Sequence, residues 1–129
     1  MKYFPRECIL TLDELKAKCD EWKVILGLEN WDIKTLLVRQ SEIPGDQGEC
    51  QWSLTNRVGI IKITTNEDWD NKYFKQDMEK TLVHELLHLH FSHIKDYCID
   101  HNTSENAIFE KDIDLLARTL VGLKRDKAE

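Results

Sequence analysis

The chain has 129 residues, of which 41% are hydrophobic, and its formal net charge at pH 7 is -6. This length suits one domain with a single hydrophobic core, so we expect residues 1–129 to form one domain. The acidic balance argues against nucleic acid or an anionic membrane surface as the main partner. No signal segment and no run of about 18 apolar residues is present, so we expect a cytoplasmic protein.

The cysteines are consistent with a reducing compartment. The chain has four of them, and they form neither a C-x-x-C pair nor the spacing of a zinc knuckle: Cys8, Cys19, Cys50 and Cys98. We therefore expect free thiols in a reducing cytoplasm, not a disulfide framework that would staple the fold together.

The first half of the chain predicts one helix followed by three strands. Residues 11–14 (TLDE) form a capping box, and apolar residues then recur at helical spacing until Gly27. After this helix the period changes, and strands are predicted within 31–38, 49–55 and 58–65. Because the connections between these segments are short, an antiparallel meander is the simplest arrangement of the sheet.

The next predicted helix contains the most informative pattern in the chain. It begins within 73–77 and includes 81–92 (TLVHELLHLHFS), which is apolar nearly all round and should therefore be buried. His84 and His88 are four residues apart, so their ring nitrogens lie on one face and could bind one metal ion. Unpaired polar groups are costly in a core, and a metal would explain why two histidines are buried there.

Glu85 completes an H-E-x-x-H pattern. It lies about 100° round the helix from His84, which is a poor position for sharing the metal but a good one for reaching a water bound there. In hydrolases with this pattern the histidines bind the metal, the glutamate is the general base, and the metal acidifies the water.

A catalytic zinc usually has three protein ligands, so a third residue is required. The candidates are acidic or imidazole side chains after the second histidine: Glu105, Glu110, His93 and His101. Glu110 is favoured because the chain between it and His88 can form a loop and the start of a final helix. One turn further on, Asp114 could accept the free N–H of a zinc-bound imidazole. The predicted apolar face of this helix comprises Phe109, Ile113, Leu116, Ala117 and Leu120, and the charged tail 124–129 is expected to fray.

These segments resemble the zincin metallopeptidases of the gluzincin type, particularly the single-domain minigluzincins and the short zinc peptidases carried by phages and mobile elements. Residues 81–91 carry the active-helix pattern, and 110–114 (EKDID) resembles the E-x-x-x-D motif of the glutamate helix, with Phe109 where an Asn often stands. The resemblance implies an α+β fold with a leading helix, a three-stranded, mainly antiparallel sheet, an active-site helix and a C-terminal glutamate helix.

The resemblance also implies a function: a zinc-dependent hydrolase of peptide bonds, with Zn²⁺ on His84, His88 and Glu110 and with Glu85 as the general base. The family carries its substrate-binding edge strand just before the active helix, which here would be formed by Ile60, Ile61, Lys62 and Ile63. Tyr97 and His101 could replace the oxyanion-stabilising residue of larger relatives. We expect a monomer that acts on peptides or proteins in the cytoplasm of a bacterium or a phage-infected host cell.

Three other interpretations stay open. The protein could be a metal-bound regulatory module with little general protease activity that acts on one partner, such as a repressor. It could be a SprT-like protease of DNA–protein crosslinks with His101 as the third ligand, although the acidic charge and the missing zinc ribbon argue against this. It could also be a latent enzyme in which a nearby segment blocks access to zinc.

Overall fold

The structure is a computed structural model that describes Tyr3 and residues 6–70, 73–93 and 104–128. The order of the elements in these residues is α1 (Leu12–Ile25), β1 (Asp32–Val38), β2 (Gly48–Ser53), β3 (Val58–Thr64), α2 (Met78–His90) and α3 (Ser104–Ala128). Short 3₁₀ turns at Gln40–Glu42 and Asn66–Asp68 follow β1 and β3. The α+β class expected from the sequence is therefore confirmed.

Helix α1 begins and ends as its sequence predicts. The hydroxyl of Thr11 accepts a hydrogen bond from the Glu14 amide, and the Glu14 carboxylate accepts one from the Thr11 amide at 2.9 Å. Just beyond the helix, Gly27 adopts a φ of 69°, a conformation that a side chain would disfavour. The buried face of α1 comprises Leu15, Cys19 and Trp22, whereas Leu12, which the spacing also assigned to this face, is exposed.

The sheet is mixed, so the prediction of a mainly antiparallel meander was wrong. Its strand order is β1-β3-β2, with β1 parallel to β3 and β2 antiparallel to β3. Burial explains this order. Ile61 and Ile63 of β3 are fully buried, as a middle strand requires, whereas every residue of β2 keeps some exposure to solvent.

The position of β3 also corrects the expected substrate-binding edge. That edge was assigned to four residues of this strand: Ile60, Ile61, Lys62 and Ile63. All four are paired with β1 on one side and with β2 on the other, so their backbone is not open to a peptide. The edge strand next to α2 is β2 instead.

Helix α2 is the central helix of the fold and packs against α1, α3, β2 and β3. Its apolar side chains are buried nearly all round, as predicted: Met78, Leu82, Val83, Leu86, Leu87 and Leu89. The carboxylate of Asp77 caps its first turn by accepting a hydrogen bond from the Lys80 amide at 3.1 Å. One core cluster joins buried residues of all three helices and β3.

The C-terminal end of α3 is anchored, so the expectation of a frayed tail was wrong. Helix α3 continues to Ala128, and the buried guanidinium of Arg125 donates hydrogen bonds of 2.8 and 2.9 Å to the two oxygens of Asp77. Nearby, Lys124 donates a 2.7 Å hydrogen bond to Glu79, which also accepts one from the Trp22 indole. These pairs attach the end of α3 to the start of α2.

The remaining predictions for the helices and thiols are met in part. Ile113 and Ala117 of α3 are buried as expected, but Leu116 is exposed and Val121, which was not predicted, is fully buried. Cys8 and Cys19 are free thiols, as predicted, while Cys98 lies outside the described residues. Among the described helices, none combines the length and the apolar character that a membrane span needs.

Candidate metal centre

Helices α2 and α3 bring two imidazoles and one carboxylate to a single point. The Nε2 atom of His84 lies 3.3 Å from Oε2 of Glu110, and Nε2 of His88 lies 3.2 Å from the same oxygen. The three ligand atoms all lie within 4.8 Å of one another. The sequence-based choice of these three residues therefore corresponds to a compact cluster in the fold.

The second ring nitrogen of His84 is held by Asp114. Its Nδ1 lies 3.1 Å from Oδ1 of Asp114, and because a carboxylate only accepts hydrogen bonds, Nδ1 must carry the proton. This hydrogen bond aims Nε2 at the cluster. Two imidazoles and one glutamate are a donor set found in catalytic zinc sites, so the residues fit a zinc ion.

The ring of His88 is held by packing on both sides. The Trp52 ring lies within 15° of parallel to it with the centroids 6.5 Å apart, and Phe109 meets it edge-on at 6.2 Å. Its Nδ1 atom is buried and has no hydrogen-bond partner in the part of the chain that the structure describes. Trp52 was predicted only as a strand residue, because pattern alone does not show which helix a strand faces.

The cluster is electrostatically suited to hold a cation. Burial alone would lower the pKa of His84, but the hydrogen bonds to Asp114 and Glu110 outweigh it and raise this pKa to about 9. The same hydrogen bond from His84 holds the pKa of Asp114 well below its usual range. A positive charge at the His84 ring, whether from a proton or from a metal, is therefore stabilised.

Glu85 is buried beside the cluster, where the backbone of β2 crosses α2. Burial raises the pKa of Glu85, and the nearby His84 and His88 oppose this shift. The crossing is close because Gly48 has no side chain. A Cβ atom on Gly48 would lie 3.1 Å from Oε2 of Glu85 and 2.7 Å from Cγ2 of Thr81. The sequence predicted that the second strand begins at residue 49, just after Gly48, and gave no sign of this contact.

These groups line one cleft of about 620 Å³. One wall is α2, a second is α3, and the third is β2 together with the loop before it, residues 45–47. No residue of β3 is among the described residues that line the cleft. The cleft is large enough for part of a peptide, and β2 is the strand that borders it.

Within the part of the chain that the structure describes, none of the other candidate ligands lies at the metal cluster. His93 is exposed and is not part of the cluster. His90, which was not among the candidates, is turned to the opposite side of α2, with Nδ1 2.9 Å from the carbonyl oxygen of Leu26. Tyr97, His101 and the side chain of Glu105 lie outside the described residues, so the structure does not test them.

Comparisons with known proteins do not identify a relative. No protein-family model matches the chain, and no match was found among curated proteins or solved structures. The functional interpretation therefore rests on the geometry of the His84–Glu110 cluster and the cleft around it.

Proposed function

We propose that this protein is a zinc-dependent metallopeptidase of the gluzincin type, with a peptide or protein in the cytoplasm as its substrate. One observation carries the proposal: Nε2 of His84 and Nε2 of His88 converge on one oxygen of Glu110, in a cleft that also contains Glu85. This combination of three donors and one buried acid is what metal-assisted hydrolysis of an amide requires.

Each residue of the cluster has a separate task. His84, His88 and Glu110 would hold zinc, and Asp114 fixes the orientation of His84 through the hydrogen bond at Nδ1. When bound, zinc would supply Lewis acidity, which polarises the substrate carbonyl and lowers the pKa of a water molecule.

Glu85 is the proposed general base. Its carboxylate would accept a proton from the attacking water and then donate this proton to the leaving amine. Burial in the cleft keeps the Glu85 carboxyl next to the three proposed ligands, where it could both accept and return this proton. The substrate would lie along β2, whose backbone passes Glu85 at Gly48, instead of along β3.

The proposal is tested by replacing Glu85 with Gln and assaying zinc-loaded protein on a fluorogenic peptide mixture. We expect Glu85→Gln to keep one zinc per chain and to lose cleavage by more than about a hundredfold, because the amide accepts no proton. Glu29→Gln, at an exposed position outside the cleft, should keep both zinc and activity.

Two results would count against the proposal. Full proteolysis by Glu85→Gln with its zinc intact would exclude the general-base role. If zinc-loaded wild-type protein cleaves no peptide but cuts one cytosolic protein, the regulatory-module interpretation is favoured over a general peptidase.

A further inference from the structure

One wall of the cleft is cationic and is not used by the proposed zinc chemistry. Lys80 lies one turn before His84 on α2, and Arg118 lies one turn after Asp114 on α3. Both line the cleft. The ammonium of Lys80 is 3.3 Å from Oδ1 of Asp114, and Nε of Arg118 is 2.9 Å from Oδ2. Two cations therefore share a single carboxylate.

Both cations keep hydrogen-bond donors that the described protein does not use. The side chain of Lys80 is only 16% exposed, yet its ammonium makes one hydrogen bond, to Asp114, within the described residues. Arg118 contacts Asp114 through Nε, and its terminal nitrogens have no partner in the same part of the chain. The side chain of Arg118 is 49% exposed and that of Lys80 is partly buried, so water can reach these donors from the cleft. A ligand that accepts hydrogen bonds can replace this water and gain charge-assisted hydrogen bonds to both cations.

The charges of the cleft indicate which kind of ligand. Apart from the histidines, the charged groups among its described lining residues are two basic and five acidic side chains: Lys80, Arg118, Asp46, Glu49, Glu85, Glu110 and Asp114. The basic pair with Asp114 has an excess of one positive charge, whereas the remaining walls are negative. Outside the proposed zinc site, an anionic group entering the cleft is therefore attracted to this wall and repelled by Asp46 and Glu49 on the opposite side.

We propose that Lys80 and Arg118 bind a carboxylate of the substrate and so make the protein selective for carboxylate-bearing peptides. This inference rests on the proposed peptidase function and names its substrate class. A guanidinium fork is shaped to hold a carboxylate through two hydrogen bonds, and Lys80 adds a point charge beside it. The carboxylate is either the C-terminal group of the peptide or an acidic side chain near the scissile bond.

The test measures binding, so that it does not depend on turnover. The zinc-loaded Glu85→Gln protein is titrated with a labelled hexapeptide, Ala-Ala-Phe-Leu-Ala-Ala, that ends either in a carboxylate or in an amide. A second set of amidated peptides carries Glu or Gln in place of each Ala in turn. We expect the charged member of at least one pair to bind about tenfold more tightly, through charge-assisted hydrogen bonds. The pair that responds identifies the source of the carboxylate.

Variants of the wall show whether these residues cause the preference. Arg118→Gln and Lys80→Gln, each made in the same background, should reduce the ratio of the two dissociation constants towards one while zinc stays bound. Arg118→Lys should keep part of the preference, because it keeps the charge and loses the fork. Lys127→Gln is the matched control: it removes the same charge from an exposed position on α3 and should leave the ratio unchanged.

The outcomes separate this inference from the proposed function. Equal affinity within every peptide pair, failure of all peptides to bind, or a tenfold preference that survives both Gln variants would each overturn the carboxylate site. Cleavage by wild-type protein without any carboxylate preference overturns this inference alone. A carboxylate preference in a wild-type protein that cleaves nothing overturns the peptidase proposal and leaves the binding site standing.

Discussion

At the residue scale, His84 has the most constrained environment in the cluster. Its ring contacts a carboxylate at each nitrogen, Asp114 at Nδ1 and Glu110 at Nε2. Helical spacing puts His84 and His88 on one face of α2, and Glu110 and Asp114 on one face of α3, whereas the contacts themselves depend on the packing of the two helices. Local spacing therefore grouped these residues into two pairs, and the resemblance of 110–114 to the E-x-x-x-D motif favoured Glu110 as the partner of the histidines.

The first prediction at this scale concerns the third ligand. Replacing Glu110 with Ala should weaken zinc binding by at least about a hundredfold, because it removes the oxygen on which both Nε2 atoms converge. Asp112→Ala, at an exposed position on the same helix, should leave the affinity unchanged. Competition with a chromogenic chelator measures both. A loss on Glu105→Ala instead of Glu110→Ala would move the third ligand to Glu105.

At this scale, the sequence does not predict the role of a residue when that role depends on contact with a distant segment. Gly48 and Trp52 shape the cleft, but neither follows a pattern that refers to α2. A glycine in a turn-rich stretch fits an ordinary turn equally well, and an alternating strand fits either face of any helix. Only the contact between β2 and α2 shows what these two residues do.

At the scale of elements, the strands were predicted to within about two residues but their order was not. The alternation of apolar residues is local and marks each strand wherever it lies in the sheet. Strand order depends on pairing between distant segments. The apolar pattern of residues 58–65 is compatible with an edge strand and with a middle strand. The two fully buried isoleucines of β3 give the better physical guide, because a middle strand loses most exposure to solvent.

The close crossing of β2 over α2 gives a prediction at this scale. Gly48→Ala places a Cβ atom 2.7 Å from Cγ2 of Thr81, a buried β-branched side chain with little freedom to move. We expect it to lower the free energy of unfolding by about 1–3 kcal/mol, measured by urea denaturation. Thr81→Ser removes the contacted methyl group and keeps the hydroxyl that donates a hydrogen bond to the backbone carbonyl of Asp77.

The double variant is the control for this mechanism. In the Thr81→Ser background, Gly48→Ala should lower the free energy of unfolding by at most half as much as it does in the wild-type protein. The reason is that the methyl group that the new Cβ atom would overlap has been removed. Simple additivity of the two changes would show that the Cβ–methyl contact is not the cause.

The anchored end of α3 provides a second prediction for the elements. Arg125→Met leaves Asp77 buried without the guanidinium that binds both of its oxygens. Removing one partner of a buried ion pair costs about 3–5 kcal/mol, so we expect a loss of this size in denaturant unfolding. Lys127→Met, two residues further on and exposed, should change stability by less than about 0.5 kcal/mol. A similarly small effect of Arg125→Met would contradict the anchoring role.

The charged composition of this end of the chain explains why it was predicted to fray. Lysine and arginine near a helix end usually lie in solvent, and nothing in their spacing shows a buried carboxylate. The partners of Lys124 and Arg125 lie at the start of α2, more than 40 positions away in the sequence. The pairing therefore emerges only when the two helices are placed side by side.

At the scale of the whole molecule, α2 and α3 are joined at two separate places. The start of α2 meets the end of α3 through Asp77 and Arg125, and the end of α2 meets the first half of α3 through the cluster at Glu110. The helices are therefore antiparallel partners, and the first junction can form without metal. The second contains two buried or half-buried histidines whose nitrogens need a cation or a proton between them and the carboxylate.

Zinc should therefore act as a stabilising ligand of the whole fold. At a free zinc concentration about 100 times the dissociation constant, binding to the folded state alone adds about 2.7 kcal/mol to the free energy of unfolding. Thermal melts with zinc and with a chelator should show the zinc-loaded protein unfolding at the higher temperature. Glu110→Ala should lose this difference, because it disrupts the cluster, whereas Arg125→Met should keep it, because the ion pair lies at the opposite junction. An equal melting temperature for wild-type protein with saturating zinc and with chelator would show that His84, His88 and Glu110 do not hold the metal in the folded state.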